Sequence, residues 1–569
     1  MRSLPLRLVG LTLALAGVVA CGRNFARAAD PPYAGSWKVV LASPGQSITL
    51  LLLKIEDKNS KPEATILSAG VPPFKNAKVQ KLKAGGKSLH LTVEANGNDF
   101  EFLVYFPTDQ AKPEKLLGSV GLGGQREFAR LERSDLKELD SDPRKNMIAS
   151  PAIEDMRKAM QTQDPKEKEK ALKDIVAKNS GDAIAFMAAL QLFGSLLKND
   201  AKEADVRAQA DQVIEAAGAY GPEMKFKAMQ VVTQTLVGEK KQPALALAYA
   251  QQLEKELSPD APLASQAAAL KLLLTALRNS GKADEAKEMT ARLHKIDAAL
   301  DEEFAKTAVP FEPEAPARKG KNDRVVLVEL FTGAQCPPCV SADVAFDALL
   351  KAAKPADIVL LQYHLHIPRP DPLTNKDSED RSTFYQIRGT PALLIDGKDV
   401  PDIGGSRQDG KDRYQTILKA LANPLDSLPE ARLRVSATQT GDKINISANV
   451  ADLKKPGDTV FLRFVLVEEL VRWPGSNGQR LHHHVVRGFP GGVKGTALKE
   501  ATAKQDVIVD LAEVKKGLND YLAKEKFDED SRPLDLKNLK VVAFIQNDDS
   551  KEVLQTAQVD LSQGKPETE

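Results

Sequence analysis

The sequence predicts a multidomain α+β protein made of an N-terminal all-β barrel or sandwich, an α-helical region, an α/β domain and a C-terminal β-sandwich. Three observations lead there. At 569 residues, 42% of them apolar, the chain is too long to be organised around one hydrophobic core. The period of its hydrophobic pattern switches from two to a helical one and later back to two. A polar segment beginning at Pro310 interrupts the chain between these regimes. Charge adds an exclusion: 79 basic residues against 78 acidic ones leave a formal +1, so no global field draws the chain onto nucleic acid or an anionic membrane, and nucleic acid is not an expected partner.

Residues 1–28 have the layout of a secretory signal peptide, with Arg2 and Arg7 ahead of an apolar run from Leu8 to Ala20. Val18-Val19-Ala20-Cys21 resembles a bacterial lipobox, in which Cys21 is lipidated and becomes the first mature residue; Ala26-Arg27-Ala28 offers an ordinary cleavage site instead. Either route predicts a periplasmic, cell-envelope location. No later stretch approaches the roughly 18 to 20 apolar residues of a membrane span, so membrane association is expected only through a lipid anchor at Cys21. Both routes consume Cys21, which leaves Cys336 and Cys339 in an oxidising compartment. One closely spaced pair in so long a chain is no stapled scaffold and points to chemistry.

Residues 31–135 read as the all-β domain. Leu89, Leu91 and Val93 alternate with His90, Thr92 and Glu94, and Asn96-Gly97 leads into Phe100, Phe102 and Val104, a hairpin signature. Gly35-Ser36-Trp37 is faintly similar to a lipocalin first strand. Over residues 151–307 the composition changes to Ala, Leu, Lys, Glu and Gln without alternation, cut at Asn179-Ser180-Gly181 and Asn279-Ser280-Gly281 into helix-length pieces. Ala244 to Ala250 and Gly281-Lys282-Ala283-Asp284-Glu285-Ala286 resemble tetratricopeptide fragments, although the spacing from Ala246 to Ala286 exceeds that family's period of about 34 residues, so a degenerate TPR-like array is expected, a spacer of amphipathic helix pairs in preference to a surface for peptides or partner proteins. Residues 308–323, with Pro310, Pro313 and Pro316, read as a linker. The α/β domain is expected over 324–425. Between 430 and 562 alternation returns in Ile444, Ile446, Ala448 and Val450 and in Val460, Leu462, Phe464 and Leu466, most simply a sandwich.

Arg324-Val325-Val326-Leu327-Val328-Glu329-Leu330-Phe331 suits a buried central strand. The turn Thr332-Gly333-Ala334-Gln335 then delivers the chain to Cys336-Pro337-Pro338-Cys339, and Val340 to Ala352 has helical periodicity. A dithiol there sits at a helix N-terminus, where unpaired N–H groups and the macrodipole favour a thiolate. Cys336, the more N-terminal and exposed of the two, is the expected nucleophile, and the two prolines suit a first helical turn. A Cys-x-x-Cys pair is also half of a zinc site, but no second such pair or nearby Cys/His pair completes four ligands. Some fifty residues later the chain reads Gly389-Thr390-Pro391-Ala392-Leu393-Leu394-Ile395-Asp396-Gly397.

Together these two motifs resemble the thioredoxin superfamily over about residues 321–423, with Val328-Glu329-Leu330-Phe331-Thr332 most similar to a secreted branch and the paired prolines similar to tryparedoxin-type centres. The resemblance implies a thioredoxin-like domain and a thiol-disulfide oxidoreductase that reduces protein disulfides in the envelope, using a redox-active Cys336–Cys339 disulfide without other cofactor or metal. It implies that Cys336 attacks, that Cys339 resolves, and that Thr390 and cis-Pro391 present backbone to an extended substrate. Glu329, one residue upstream of the family's buried acid, would exchange protons with the resolving thiol. Gln335 stands where most of the family has Trp, so substrate contacts should differ. With two prolines and no imidazole between the cysteines, a potential on the order of −270 mV is expected. The implied partners are protein thiols and disulfides, and a membrane or envelope electron donor.

His364 and His366 share a face if they lie on a strand, and combined with the cysteines they give a copper-handling metallochaperone as an alternative. His482-His483-His484 followed by Val485-Val486-Arg487-Gly488-Phe489-Pro490 resembles the C-terminal half of Omp28-type envelope lipoproteins. A further alternative is an envelope scaffold whose redox fold merely binds partners. Such a scaffold has no chemical need for two cysteines facing a Thr-Pro loop, which favours the oxidoreductase.

Overall fold

The computed structural model describes residues 31–563 apart from 59, 60, 109, 111, 123, 124 and 528, so the segment read as a signal peptide, with the lipobox-like residues ending at Cys21, lies outside the described residues. The chain is multidomain α+β and divides into two units between Ile296 and Asp297.

In the first unit, strands β1 (Gly35–Leu41), β2 (Gln46–Lys58), β3 (Lys61–Ala69), β4 (Lys78–Gly85), β5 (Ser88–Ala95), β6 (Asn98–Tyr105), β7 (Lys115–Leu122) and β8 (Gln125–Arg133) form an antiparallel sheet in the order β3-β2-β1-β8-β7-β6-β5-β4. It is nearly closed where β3 approaches β4, giving a barrel and not a sandwich; the short β9 (Met147–Ala149) pairs with β2. Alternation puts Leu89, Leu91 and Val93 inside with Trp37, Leu51, Phe102 and Leu131. Asn96 and Gly97 hold φ of 51° and 75°, the left-handed pair that a two-residue hairpin between β5 and β6 demands. Trp37 plugs the barrel. Its indole donates to the Tyr33 carbonyl (2.8 Å), and the Arg133 guanidinium lies 4.4 Å above the ring while donating to the carbonyls of Pro32, Ala34 and Pro113.

Helices α1 (Ile153–Gln161), α2 (Pro165–Lys178), α3 (Ala183–Lys198), α4 (Glu203–Gly218), α5 (Pro222–Glu239), α6 (Pro243–Glu256) and α7 (Leu263–Asn279) pack each on the next, and α8 (Ala283–Thr307) enters the second unit from Asp297 on. Their ends follow local chemistry: Asp164 accepts from the Lys166 and Glu167 N–H groups ahead of α2, and Pro165 fills its first position. Barrel and helices join at Phe128, whose ring meets Phe186 and Tyr220 edge-on at 5.2 and 4.7 Å.

The second unit contains, in order, β10 (Val326–Thr332), α9 (Val340–Ala352), β11 (Ile358–His364), α10 (Lys376–Phe384), β12 (Ala392–Ile395), β13 (Lys398–Val400), α11 (Gly410–Asp426), β14 (Arg432–Thr440), β15 (Lys443–Ala451), β16 (Val460–Arg472), β17 (Leu481–Gly488), β18 (Thr496–Ala497), β19 (Ala503–Asp510), α12 (Leu511–Lys524), β20 (Leu539–Asn547), β21 (Val553–Asp560) and β22 (Ser562–Gln563). β10 is parallel to β11 and antiparallel to β12. Here the structure departs from the expected boundary near residue 430. β16, β17, β20 and β21 continue the sheet of the dithiol segment in the order β13-β12-β10-β11-β17-β16-β20-β21, with β18 on β16; only β19-β15-β14-β22 form a separate sheet. The reason lies in strands that are apolar on both faces. Leu462, Phe464, Leu466, Val541, Ala543 and Ile545 pack against the four-stranded sheet, while Val465, Val467, Val542 and Phe544 pack against Leu327, Phe331, Leu361 and Tyr363. The long sheet curls until its ends meet: the Val553 N–H donates to the Asp396 carbonyl (3.2 Å), and the Arg324 guanidinium joins the Asp396 carboxylate (2.5 Å) to the Val553 carbonyl (2.6 Å).

On β10, even-numbered Val326, Val328 and Leu330 pack against α9 and α11 through Phe346, Leu349, Ile417 and Leu421, whereas odd-numbered Leu327 and Phe331 face the interior of the curl. The segment read as a linker, residues 308–323, is docked on this unit: Phe311 lies 5.7 Å from Tyr414, whose hydroxyl donates to the Glu314 carbonyl. No described helix is long and apolar enough to cross a membrane.

Candidate dithiol site

β10 ends at Thr332, and Gly333-Ala334-Gln335 turn the chain toward the helix. Cys336 and Cys339 are joined in a disulfide, with Cα atoms 5.3 Å apart. Pro337–Cys339 form a single 3₁₀ turn that runs directly into α9, so the prolines occupy positions whose N–H groups would find no helical partner. The Thr390–Pro391 peptide is cis, and the loop that carries it reaches the dithiol: the Thr390 hydroxyl donates to Cys336 Sγ (3.4 Å), with the Thr390 carbonyl 3.8 Å from the same sulfur. Cys336, Cys339, Thr390 and Pro391 thus belong to one site.

The expectation of an exposed nucleophile needs correction. Cys336 is 2% exposed and Cys339 fully buried. Besides Thr390, the turn between β16 and β17 lies against the dithiol loop: Asn477 Nδ2 donates to the carbonyls of Gly333 (3.1 Å) and Cys336 (3.4 Å), and its backbone N–H donates to Ala334 O (3.4 Å). From the other side, the Ala334 N–H donates to Asp371 Oδ2 (2.6 Å), and Gln335 Nε2 to the Pro370 carbonyl (2.7 Å).

Glu329 is placed differently from the proton-relay expectation. Its odd parity on β10 aims it into the curl of the sheet, away from the face that carries α9 and the dithiol. There its carboxylate accepts from Arg381 Nε (2.9 Å) and a second Arg381 nitrogen (3.0 Å), and from the hydroxyls of Tyr363 (2.9 Å) and Tyr385 (2.6 Å). Arg381 in turn donates to Gln546 Oε1 (2.8 Å). This is an internal ion pair tying β10 to α10 and β20.

The buried acid on the helix side is Asp343, which sequence reading missed. It lies four residues beyond Cys339, on the same face of the helical turn. Its Oδ1 accepts from the Thr332 hydroxyl (2.9 Å) and Gln362 Nε2 (3.3 Å). Burial pushes this carboxyl well above the usual carboxylate range, more than those hydrogen bonds lower it, and the nearby Asp347 and Asp371 charges push the same way. Gln362 Oε1 continues the chain to His364 Nε2 (3.3 Å), and His364 Nδ1 lies 3.2 Å from Asp371 Oδ2. Burial alone would raise Asp371, but His364 and the N–H groups of Leu373 and Ala334 outweigh it and hold that carboxyl below its ordinary value.

The histidines singled out in the sequence are engaged by their own chain. His366 Nε2 lies 3.0 Å from Glu379. His482 stacks edge-on against His364 at 5.0 Å, and burial pushes it down to about 3. His483 Nδ1 lies 2.8 Å from Asp347, whose charge outweighs burial and raises it; His484 Nδ1 donates to the Leu360 carbonyl (3.1 Å). Among the described residues no group of three or more His, Cys, Asp or Glu side chains is arranged to hold a metal ion.

No family model and no curated protein matches this chain. Among solved structures, it is similar to HBP35 of Porphyromonas gingivalis, at 16% identity and a TM-score of 0.31 over 44% of this chain and 79% of that one.

Proposed function

We propose that this chain is an exported thiol-disulfide oxidoreductase with a thioredoxin-like domain, a reductant of protein disulfides in the cell envelope. One observation carries the reading: a Cys336–Cys339 pair at the start of α9 with the Thr390 hydroxyl on the Cys336 sulfur. In the reduced protein the Cys336 thiolate attacks a substrate disulfide, forming a mixed disulfide and releasing one substrate thiolate. Cys339, after losing its proton, attacks Cys336 Sγ, so the second substrate thiolate leaves and two electrons have passed to the substrate. Asp343, on the helix face of Cys339, is the group we assign to hold and exchange that proton, in place of Glu329. Among the described residues no cationic side chain is hydrogen-bonded to Cys336, which supports a reducing centre near about −270 mV over a strong oxidant near about −120 mV. The TPR-like helices act as a spacer, the histidine-bearing strands have Omp28-type character, and Cys21 is the lipid anchor in the same proposal.

Burial of Cys336 favours one second reading, an envelope scaffold in which the disulfide is only structural. Trapping separates the two. Cys339→Ser should accumulate mixed disulfides with envelope proteins through Cys336, and Cys336→Ser should accumulate few. Equal absence of adducts from both variants would remove the oxidoreductase reading in favour of the scaffold. A copper titration of the reduced protein tests the metallochaperone alternative.

A further inference from the structure

We infer that the turn Trp473–Gln479 is a lid that selects the substrate of the dithiol by shape, latched by Asn477 and opening onto an extended polypeptide segment; this rests on the oxidoreductase reading. The turn joins β16 to β17, far along the chain from the cysteines. Both hydrogens of the Asn477 amide are used on carbonyls of the redox loop, Gly333 and Cys336, and its Oδ1 accepts the Gln479 N–H (3.0 Å), which fixes the amide's orientation. The approach is too close for any side chain at Gly475, where a Cβ would stand 2.3 Å from the Ala334 carbonyl oxygen and 2.7 Å from Asn477 Oδ1. The stems are held as well. Arg472 Nε (2.9 Å) and Arg480 Nε (2.7 Å), on either side of the turn, both donate to the Asp301 carboxylate.

Against these attachments stands one unfavourable feature. Gln479 is 2% exposed, and neither its amide nitrogen nor its amide oxygen has a hydrogen-bond partner within the protein. A buried amide in that condition opposes the closed arrangement, because water or another polar group would pair with it once the turn lifts. The lid is therefore poised between attachments that hold it and an orphaned amide that favours opening. Gln479 offers an N–H donor group and a carbonyl acceptor, the complement of a peptide group, in the same turn as Asn477, which already contacts Cys336. An extended chain around a disulfide can enter under such a lid and pair with Gln479, whereas a folded protein surface meets it closed.

The experiment uses the full-length mature protein, reduced, with three disulfide probes: 2-hydroxyethyl disulfide, an extended synthetic peptide containing one disulfide, and a folded protein with a surface disulfide. Wild type should oxidise readily with the first two and slowly with the third. Gly475→Ala, which props the turn off Ala334, and Asn477→Ala, which removes the latch, should each accelerate the folded-protein reaction about tenfold, the scale expected for losing one to two hydrogen bonds that close the lid. Gly475→Ala should leave the 2-hydroxyethyl disulfide rate within about twofold, and Gln479→Leu should raise the half-saturating peptide concentration of this single turnover with little change in its limiting rate. Unchanged melting curves confirm folding. Equal wild-type rates with all three probes, or no acceleration in either variant, would overturn the lid and leave the oxidoreductase standing. Reaction with 2-hydroxyethyl disulfide alone, in wild type and both lid variants, would instead overturn protein-disulfide reduction itself.

Discussion

Replacing Glu329 by glutamine isolates what this acid does. The substitution keeps shape and one acceptor oxygen, but it leaves the fully buried Arg381 without a counter-charge inside the curled sheet. Gln546 already accepts from Arg381, and Tyr385 already donates to Glu329, so neither supplies a replacement charge. Orphaning one member of a buried ion pair costs about 3–5 kcal/mol. For a unit of this size each kcal/mol lowers the melting temperature by about 2–4 °C, so the transition of the second unit should fall by about 6–20 °C. Calorimetry of the full-length protein measures the shift, and hydrogen exchange of β10 and β11 assigns it to this unit. Glu329→Leu combined with Arg381→Met, which removes both charges, should recover most of the loss. A Glu329→Gln protein that melts within about 2 °C of wild type yet exchanges disulfides more than about tenfold slower would refute the ion-pair account and return the acid to the proton chemistry.

Asp343→Asn should slow release of mixed disulfides in stopped-flow exchange, and it should also change stability with a defined sign. Burial raises this carboxyl, so the folded state keeps a proton that the unfolded chain sheds above about pH 3.9. Wild-type stability therefore declines as pH rises toward the folded pKa, and the amide variant should gain on wild type progressively above about pH 4, with no gain below it. His482 behaves in the opposite sense: its pKa falls from 6.5 to about 3, so its contribution is complete above pH 6.5 and lost as pH drops toward 3. Its ring resonance should not titrate between about pH 8 and 4, and His482→Gln should flatten the acid limb of the stability curve. Trp37→Ala removes the barrel's buried plug and should cost about 3–5 kcal/mol, read as lost exchange protection in β1, β2 and β8.

The all-β character of the first domain was legible because period two assigns inside and outside on strands such as β5, but the choice between barrel and sandwich was not, since it depends on β3 approaching β4. The same signal misled beyond residue 430. Leu462 and Phe464 alternate with Arg463 and Val465, and periodicity reports that both faces are covered without naming what covers them. The dithiol and Thr390 were readable as local motifs, and the structure places them within 3.4 Å. Glu329 was readable as a buried acid but not as one on the wrong side, because only packing shows which parity of β10 faces α9. Asp343 carried a usable signal in its four-residue offset from Cys339. Asn477 carried none: it lies 141 residues from Cys336, in a turn between strands read as a different domain.

The continuous sheet bears on how this protein can be inherited. A recombination breakpoint in the stretch joining α11 to β14, where a reading of the chain alone would divide it, falls between strands that share one interior. A chain carrying only the earlier half would expose Leu327, Phe331, Leu361 and Tyr363 on the interior face of the sheet and leave β11 with a bare edge. The dithiol segment and the strands after residue 430 should therefore fold only as one block. The turn bearing Asn477 lies inside that block, so a point substitution can alter it without separating it from the dithiol loop it touches.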